Sequence, residues 1–99
     1  MVRRSFAEQD VAYLKLLASR LAASAPQTFA LLAATGEEPA RVIVAASADL
    51  KIDCGTALRE ALAAYGLRGG GSTGMAQGQI PNAHLDALFS GLEDRVKGV

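Results

Sequence analysis

The segment GLRGGGSTGMAQG, residues 66–78, contains six of the ten glycines of this 99-residue chain. Three of them are consecutive, Gly69-Gly70-Gly71. Glycine loses more backbone entropy on folding than any other residue, so a run of three is costly in a compact domain. We therefore expect the segment either to adopt backbone angles that other residues avoid or to bring its backbone close to another group.

The composition around this segment is that of one small globular domain. Half of the 99 residues are apolar and a fifth are charged, which is enough for a single core. Ten basic residues balance ten acidic ones, so a nucleic-acid partner would have to be attracted by a local patch. The lone Cys54, the lack of a secretory signal and the lack of a membrane-spanning apolar run together predict a cytoplasmic protein.

The regions before the glycine segment show clear secondary-structure signals. A helix is predicted over residues 55–65, with Asp53 as its N-cap and Gly66 as its terminator. Further upstream, two apolar runs at residues 28–34 and 41–46 are separated by a turn with glycine and proline. This pattern predicts an antiparallel β-hairpin that is buried on both faces and covered by helices on at least one of them.

Amphipathic helices are predicted at both ends of the chain. Ser5-Phe6-Ala7-Glu8 fits a capping box, and the apolar spacing after it predicts a helix from Phe6 to Ala25. After the glycines, Met75-Ala76-Gln77 predicts a short strand, and a last helix is predicted from Pro81 to Gly98. The order of elements predicts an α/β (α+β) fold, a small sheet with a β-hairpin packed against about three helices.

The glycine segment matches neither common nucleotide-binding fingerprint. Gly69, Gly71 and Gly74 satisfy Gly-x-Gly-x-x-Gly, but a helix precedes the pattern and no helix follows it, and no Lys-Ser or Lys-Thr pair is present. Two uses remain open. The amides could bind an anion beside Arg68, with Gln77 placed to contact a base edge, or the glycines could form a sharp turn back to the sheet.

Gly69-Gly70-Gly71, three intervening residues and Met75-Ala76-Gln77-Gly78 resemble the signature of the type-one DHH-associated domain. That family occurs at the C-terminus of alanyl-tRNA synthetases, in long-form alanyl-tRNA editing proteins and in DHH-type, RecJ-like phosphoesterases. The similarity in order and spacing covers nearly all of the chain. The synthetases usually have Arg-Pro-Asp where this sequence has Ser72-Thr73-Gly74, so Arg68 is the nearest cation left to contact phosphate.

The resemblance implies one domain, residues 1–99, from the C-terminal part of a longer protein. Such a domain would hold tRNA or another nucleic acid for the catalytic domain of the parent chain, an alanine-tRNA ligase, alanyl-tRNA deacylase or phosphoesterase. It would itself be non-catalytic and need no cofactor. The implied nucleic-acid-binding residues are Arg68, Gly69, Gly70, Gly71, Ser72, Met75, Ala76, Gln77 and Gly78.

Two alternatives stay open at the level of sequence. The domain could be the nucleotide- or substrate-binding half of a DHH-type phosphoesterase, or a dimerisation module that forms a homodimer. His84 and Cys54 are the only histidine and cysteine, too few for the zinc site of the editing domains. We interpret His84 as a surface residue and Cys54 as a small buried one, and predict neither a catalytic residue nor a metal site.

Overall fold

The computed structural model of the protein describes residues 2–6, 11–24, 28–36, 39–47, 52–71 and 74–97. The strands in these ranges are β1 (Val2–Phe6), β2 (Phe29–Ala34), β3 (Ala40–Ala46), β4 (Gly69–Gly71) and β5 (Met75–Ile80). The α-helices are α1 (Val11–Ser24), α2 (Cys54–Ala63) and α3 (Leu85–Lys97). A short 3₁₀ helix, Asn82–His84, leads into α3.

The strands form one sheet in the order β1-β2-β3-β5-β4. The pair β1 and β2 is parallel, and α1 is the crossover helix that a parallel pair requires. All other neighbours are antiparallel, and the predicted hairpin is confirmed as β2 and β3. The predicted mixed α/β fold class is therefore confirmed.

Helices cover both faces of the sheet along β2 and most of β3, and this explains why the hairpin sequence lacks polar alternation. On one face, side chains of β2 and β3 such as Leu32 and Ile43 pack with Leu14 and Ala18 of α1. The alternate residues face α2 and α3, whose fully buried side chains include Leu58, Leu62, Leu88, Phe89 and Leu92. Strands covered on both faces are expected to be almost continuously apolar.

Asp53 is confirmed as the N-cap of α2. Its Oδ1 accepts a hydrogen bond from the backbone N–H of Thr56 at 3.1 Å. This bond, more than any other interaction, lowers the pKa of the Asp53 carboxyl below its usual 3.8. The cap therefore favours the ionised aspartate in the folded state.

The cap predicts a specific dependence of stability on pH. Because the folded-state pKa of Asp53 is lowered, the unfolded chain binds the proton more readily, and the contribution of the cap is present above about pH 4 and lost below it. We expect Asp53→Asn and Asp53→Ser, which keep an acceptor without titrating, to lose less stability than wild type on acidification from about pH 5 to about pH 3. Urea denaturation at each pH measures this, and equal losses in all three proteins would contradict it.

The predicted N-terminal helix is wrong at its beginning. Ser5 and Phe6, assigned to a capping box, lie in β1, and the helix starts at Val11. Residues 7–10 lie outside the described residues. Pairing with β2 bonds the backbone of β1, and Phe6 packs with the α1 core, so tertiary contacts outweigh the local capping signal.

The C-terminal half largely follows the prediction but contains more β-strand than predicted. The short strand predicted at residues 75–77 extends to Ile80 as β5. The last helix begins with the 3₁₀ turn at Asn82, and its apolar face is confirmed by the burial of Leu85, Leu88, Phe89 and Leu92. Residues 69–71, expected in a loop or turn, form β4 at the edge of the sheet.

Candidate nucleic-acid interface

The turn that introduces the glycine segment lies at Gly66. Leu67 donates its backbone N–H to the carbonyl of Leu62 and Gly66 donates to Ala63, both at 3.0 Å, and together they form a Schellman motif. Gly66 has a φ of 71°, which only glycine adopts readily. Leu67 packs against the core, and the next residue, Arg68, is exposed immediately before β4.

The glycines of β4 and β5 let α2 lie close to the sheet. A Cβ at Gly69 or Gly78 would collide with Cδ1 of Leu62. A Cβ at Gly55, in the first turn of α2, would lie 2.6 Å from the carbonyl oxygen of Gly71. Several glycines of the segment thus have a packing role, which is the close backbone approach expected from the sequence.

Gly70 lies on the side of the sheet that faces α1, away from α2. It pairs with Gln77 of β5, which in turn pairs with Ile43 of β3, a residue of the α1 core. A Cβ at Gly70 would have no neighbour within 4 Å, yet its φ of 155° disfavours any other residue. The backbone next to Gln77 is therefore open to an approaching group.

Polar side chains accompany Gly70 on this part of the sheet. Gln79 lies opposite Arg41 of β3, and the β4–β5 register, carried one residue further, sets Arg68 opposite Gln79. Arg41, Arg68, Gln77 and Gln79 are all exposed. Adjacent strands are about 4.8 Å apart, so the backbones of the two arginines lie about 10 Å apart across β5. We call Arg41, Arg68, Gly70, Gln77 and Gln79 the polar sheet face.

A surface cavity of about 240 Å³ lies on the polar sheet face. Its lining consists of Arg41, Val42, Ile43, Gln77, Gly78 and Gln79. Guanidinium groups contact phosphates, often through two hydrogen bonds, and glutamine amides contact phosphates or base edges. The chain has no net charge overall, so these two arginines supply the kind of local patch that the composition requires for a nucleic-acid partner.

The structure places the nine predicted binding residues in different environments. Arg68, Gly71 and Gln77 are exposed, and Gly69, Gly70, Met75 and Gly78 are partly exposed. Ala76 is 1% exposed beneath α2, so its side chain is part of the core. Ser72 lies outside the described residues.

The N-terminus of α2 is not available as an anion site. Gly55 brings this helix end against the backbone of Gly71, at the C-terminal end of β4. The carboxylate of Asp53 already caps the helix there and accepts the N–H of Thr56. A phosphate at this end would meet a negative charge, whereas the polar sheet face offers two positive ones.

Arg41 and Gln79 are not among the binding residues predicted from the sequence, although each has a recognisable signal in the sequence. Arg41 is the one exposed residue of β3 and interrupts an otherwise apolar strand. Gln79 lies two residues after Gln77, the spacing of side chains on one face of a strand. The second signal could be recognised only once β5 was known to continue past Gln77.

Among the described residues, the groups usually associated with metal or thiol chemistry show no assembled site. Cys54 is fully buried, and burial, reinforced by the charge of Asp53, raises the pKa of its thiol to about 11. Its interpretation as a small buried residue is confirmed. Across the described ranges, no three His, Cys, Asp or Glu side chains are grouped to hold a metal ion, and no helix is long and apolar enough to cross a membrane.

Comparison with known proteins agrees with the resemblance seen in the sequence. The C-Ala domain of alanyl-tRNA synthetase from Aquifex aeolicus has a similar fold, with a TM-score of 0.76 over 92% of this chain and 88% of that one, at 18% identity. No match is found among the curated proteins. The family model of the DHHA1 domain matches residues 6–98. The chain therefore belongs to the DHHA1 domain family.

Proposed function

We propose that this domain is a non-catalytic nucleic-acid-binding module, with tRNA as its ligand, and that the polar sheet face is its binding surface. The module serves the catalytic domain of a longer cytoplasmic protein of the alanyl-tRNA synthetase or alanyl-tRNA editing type. Family membership supports the module, and the similar C-Ala domain belongs to an enzyme that acts on tRNA.

The observation that carries the proposal is the row formed by Arg41 of β3, Gln79 of β5 and Arg68, which immediately precedes β4. Two arginines whose backbones lie about 10 Å apart on one face of the sheet can contact separate phosphates of one nucleic-acid backbone. Gln77 and the open backbone at Gly70 lie beside this row and can contact sugar or base edges. Phosphate contacts position the ligand, and the glutamines add selectivity.

The strength of binding follows from the number of charges. Two phosphate contacts give modest affinity that falls with rising salt, with a slope of log K against log salt of about −2. We expect Arg68→Ala or Arg41→Ala to weaken binding of labelled tRNA-Ala about 10-fold at low salt and to reduce the magnitude of the slope by about 1. Fluorescence anisotropy at several salt concentrations measures both quantities.

Arg20→Ala is the matched control. Arg20 is an exposed arginine on α1, outside the polar sheet face, and its removal changes net charge equally. Binding that falls equally in all three variants reflects net charge alone and refutes the proposed surface. Saturable binding of a mononucleotide without preference for tRNA would support the phosphoesterase-type alternative instead.

A further inference from the structure

Helix α1 covers only part of its side of the sheet. It packs on β2 and β3, and its buried residues Leu14 and Ala18 share a core with Ile43 of β3. The cavity on the polar sheet face begins at Ile43 and extends over Gln77 and Gln79 of β5. The flank of α1 that faces β5 therefore forms a wall beside this cavity. We call the space between that flank and the polar sheet face the α1–β5 trough.

The two neighbours of Leu14 in the chain identify the flanks of α1. Successive residues of an α-helix point about 100° apart, so Tyr13 and Lys15 point sideways in opposite directions when Leu14 points at the sheet. The ring of Tyr13 meets that of Phe6 in β1 edge-on, with centroids 6.3 Å apart. Because β1 and β5 lie on opposite sides of the β2–β3 pair, Lys15 faces the α1–β5 trough, and it is exposed.

Two further residues of α1 agree with this assignment of the flanks. Ala22 follows Lys15 by seven residues, about two turns, so both lie on one flank. Ala22 is partly buried against the same core as Met75, the first residue of β5. Arg20 follows Tyr13 by seven residues and is exposed on the flank that faces β1. The two cations of α1 therefore lie on opposite flanks.

Lys15 also lies at the right level along the sheet. We call Arg41, Gln79 and Arg68 the arginine row, and the strand register continues this row through β2 to Phe6 of β1. Tyr13 contacts Phe6, and the next residue but one, Lys15, is only about 3 Å further along the helix axis. Lys15 is therefore beside the arginine row and not at the far end of the sheet.

The acidic residues of the described ranges lie on the other side of the sheet. All five belong to α2, its N-cap or α3, and they are Asp53, Glu60, Asp86, Glu93 and Asp94. Among the described residues, the trough thus has Lys15 on its wall, Arg41 and Arg68 on its floor, and no carboxylate. Cations that face one another across a groove concentrate the positive potential there and attract a polyanion.

We propose that Lys15 is a third phosphate-binding residue, and that the nucleic-acid strand held by the arginine row lies in the α1–β5 trough, against the flank of α1. This inference rests on the proposed function and adds the path of the ligand on the polar sheet face. A lysine suits this position because its ammonium is a compact charge on a flexible stem, which can reach a phosphate without the fixed geometry that a guanidinium requires.

The test compares two variants of the same helix, Lys15→Ala and Arg20→Ala. Each removes one exposed positive charge from α1, but on opposite flanks. We expect Lys15→Ala to weaken binding of labelled tRNA-Ala about 10-fold at low salt, and Arg20→Ala to change it by less than about 2-fold. Lys15→Arg keeps the charge and should restore most of the binding. Thermal denaturation establishes that all variants are folded.

The salt dependence gives an independent measure of the third contact. With three phosphate contacts, the wild-type domain should show a slope of log K against log salt of about −3, whereas the arginine row alone gives about −2. The slope should fall to about −2 in Lys15→Ala and remain about −3 in Arg20→Ala. Fluorescence anisotropy at several salt concentrations measures the slope of each variant.

The outcomes separate this inference from the function on which it rests. If Lys15→Ala and Arg20→Ala weaken binding equally, or if neither weakens it, Lys15 does not contact the ligand and the path through the trough is wrong. The proposed function still stands in that case if Arg41→Ala and Arg68→Ala weaken binding more than Arg20→Ala does. If the wild-type domain does not bind tRNA, the proposed function is wrong and the trough with it.

Discussion

Gly55→Ala should lower the free energy of unfolding by about 2 kcal/mol, or the melting temperature by about 10 °C. The added Cβ would lie 2.6 Å from the carbonyl oxygen and 3.0 Å from the carbonyl carbon of Gly71. Both atoms belong to the backbone of β4 and cannot rotate aside, so α2 and the edge of the sheet must separate. This cost exceeds the gain of about 0.5–1 kcal/mol that alanine normally brings to a helix in place of glycine.

Gly91→Ala is the control for this prediction. Gly91 is exposed within α3, and a Cβ there would have no neighbour within 4 Å. The same substitution should therefore stabilise the domain by about 0.5–1 kcal/mol. Urea denaturation followed by circular dichroism compares the two variants. If Gly55→Ala were as stable as Gly91→Ala, the close contact between α2 and β4 would not exist in solution.

The packing of Gly55 shows why the strand at residues 69–71 is not predicted from the sequence. A run such as Gly69-Gly70-Gly71 has little intrinsic tendency to form a strand, so a turn or a loop is the local expectation. Its role in β4 depends on Gly55 and Leu62, which lie in a helix earlier in the chain. Nothing local to the segment encodes that contact, although the expected close approach of the backbone was correct.

Elements with strong internal patterns were predictable, and those that depend on a distant partner were not. The apolar runs of β2 and β3 and the Asp53 cap of α2 carry their own signals. In contrast, β1 is stabilised by pairing with β2, in which each partner lies 28 positions later in the chain, as Ala30 does for Val2. The short sequence of β1 taken alone predicts a helix cap. Long-range pairing therefore overrode a local motif.

The same distinction applies to the candidate site. Arg68 and Gln77 were predicted because they lie next to the glycines in the sequence. Arg41 joins them only through the register of β3 with β5, which aligns it with Gln79. Arg41 belongs to the polar sheet face because it lies next to these residues in space, and no sequence motif connects it to them. The arginine row therefore could not be predicted from the sequence alone.

Leu62→Ala should lower the free energy of unfolding by about 3–4 kcal/mol, more than any of the glycine substitutions. Leu62 is fully buried, and its Cδ1 fills the space above Gly69 and Gly78 where side chains are missing. Neither glycine can move a side chain into the resulting cavity. Arg68 immediately precedes β4 and Gln77 lies in β5, so we also expect weaker tRNA binding in this variant.

A double-mutant cycle with Gly78→Ala tests the contact directly. Alone, Gly78→Ala places a Cβ 2.6 Å from Cδ1 of Leu62 and should destabilise the domain by about 1–2 kcal/mol. In the Leu62→Ala background the new methyl group enters the cavity instead, so the double variant should be more stable than the sum of the two losses by at least about 1 kcal/mol. Leu92→Ala, a buried leucine on α3, should combine with Gly78→Ala additively. Additivity in both pairs would mean that Leu62 does not occupy the space above Gly78, and the explanation of the glycine-rich strands by close packing of α2 would fail.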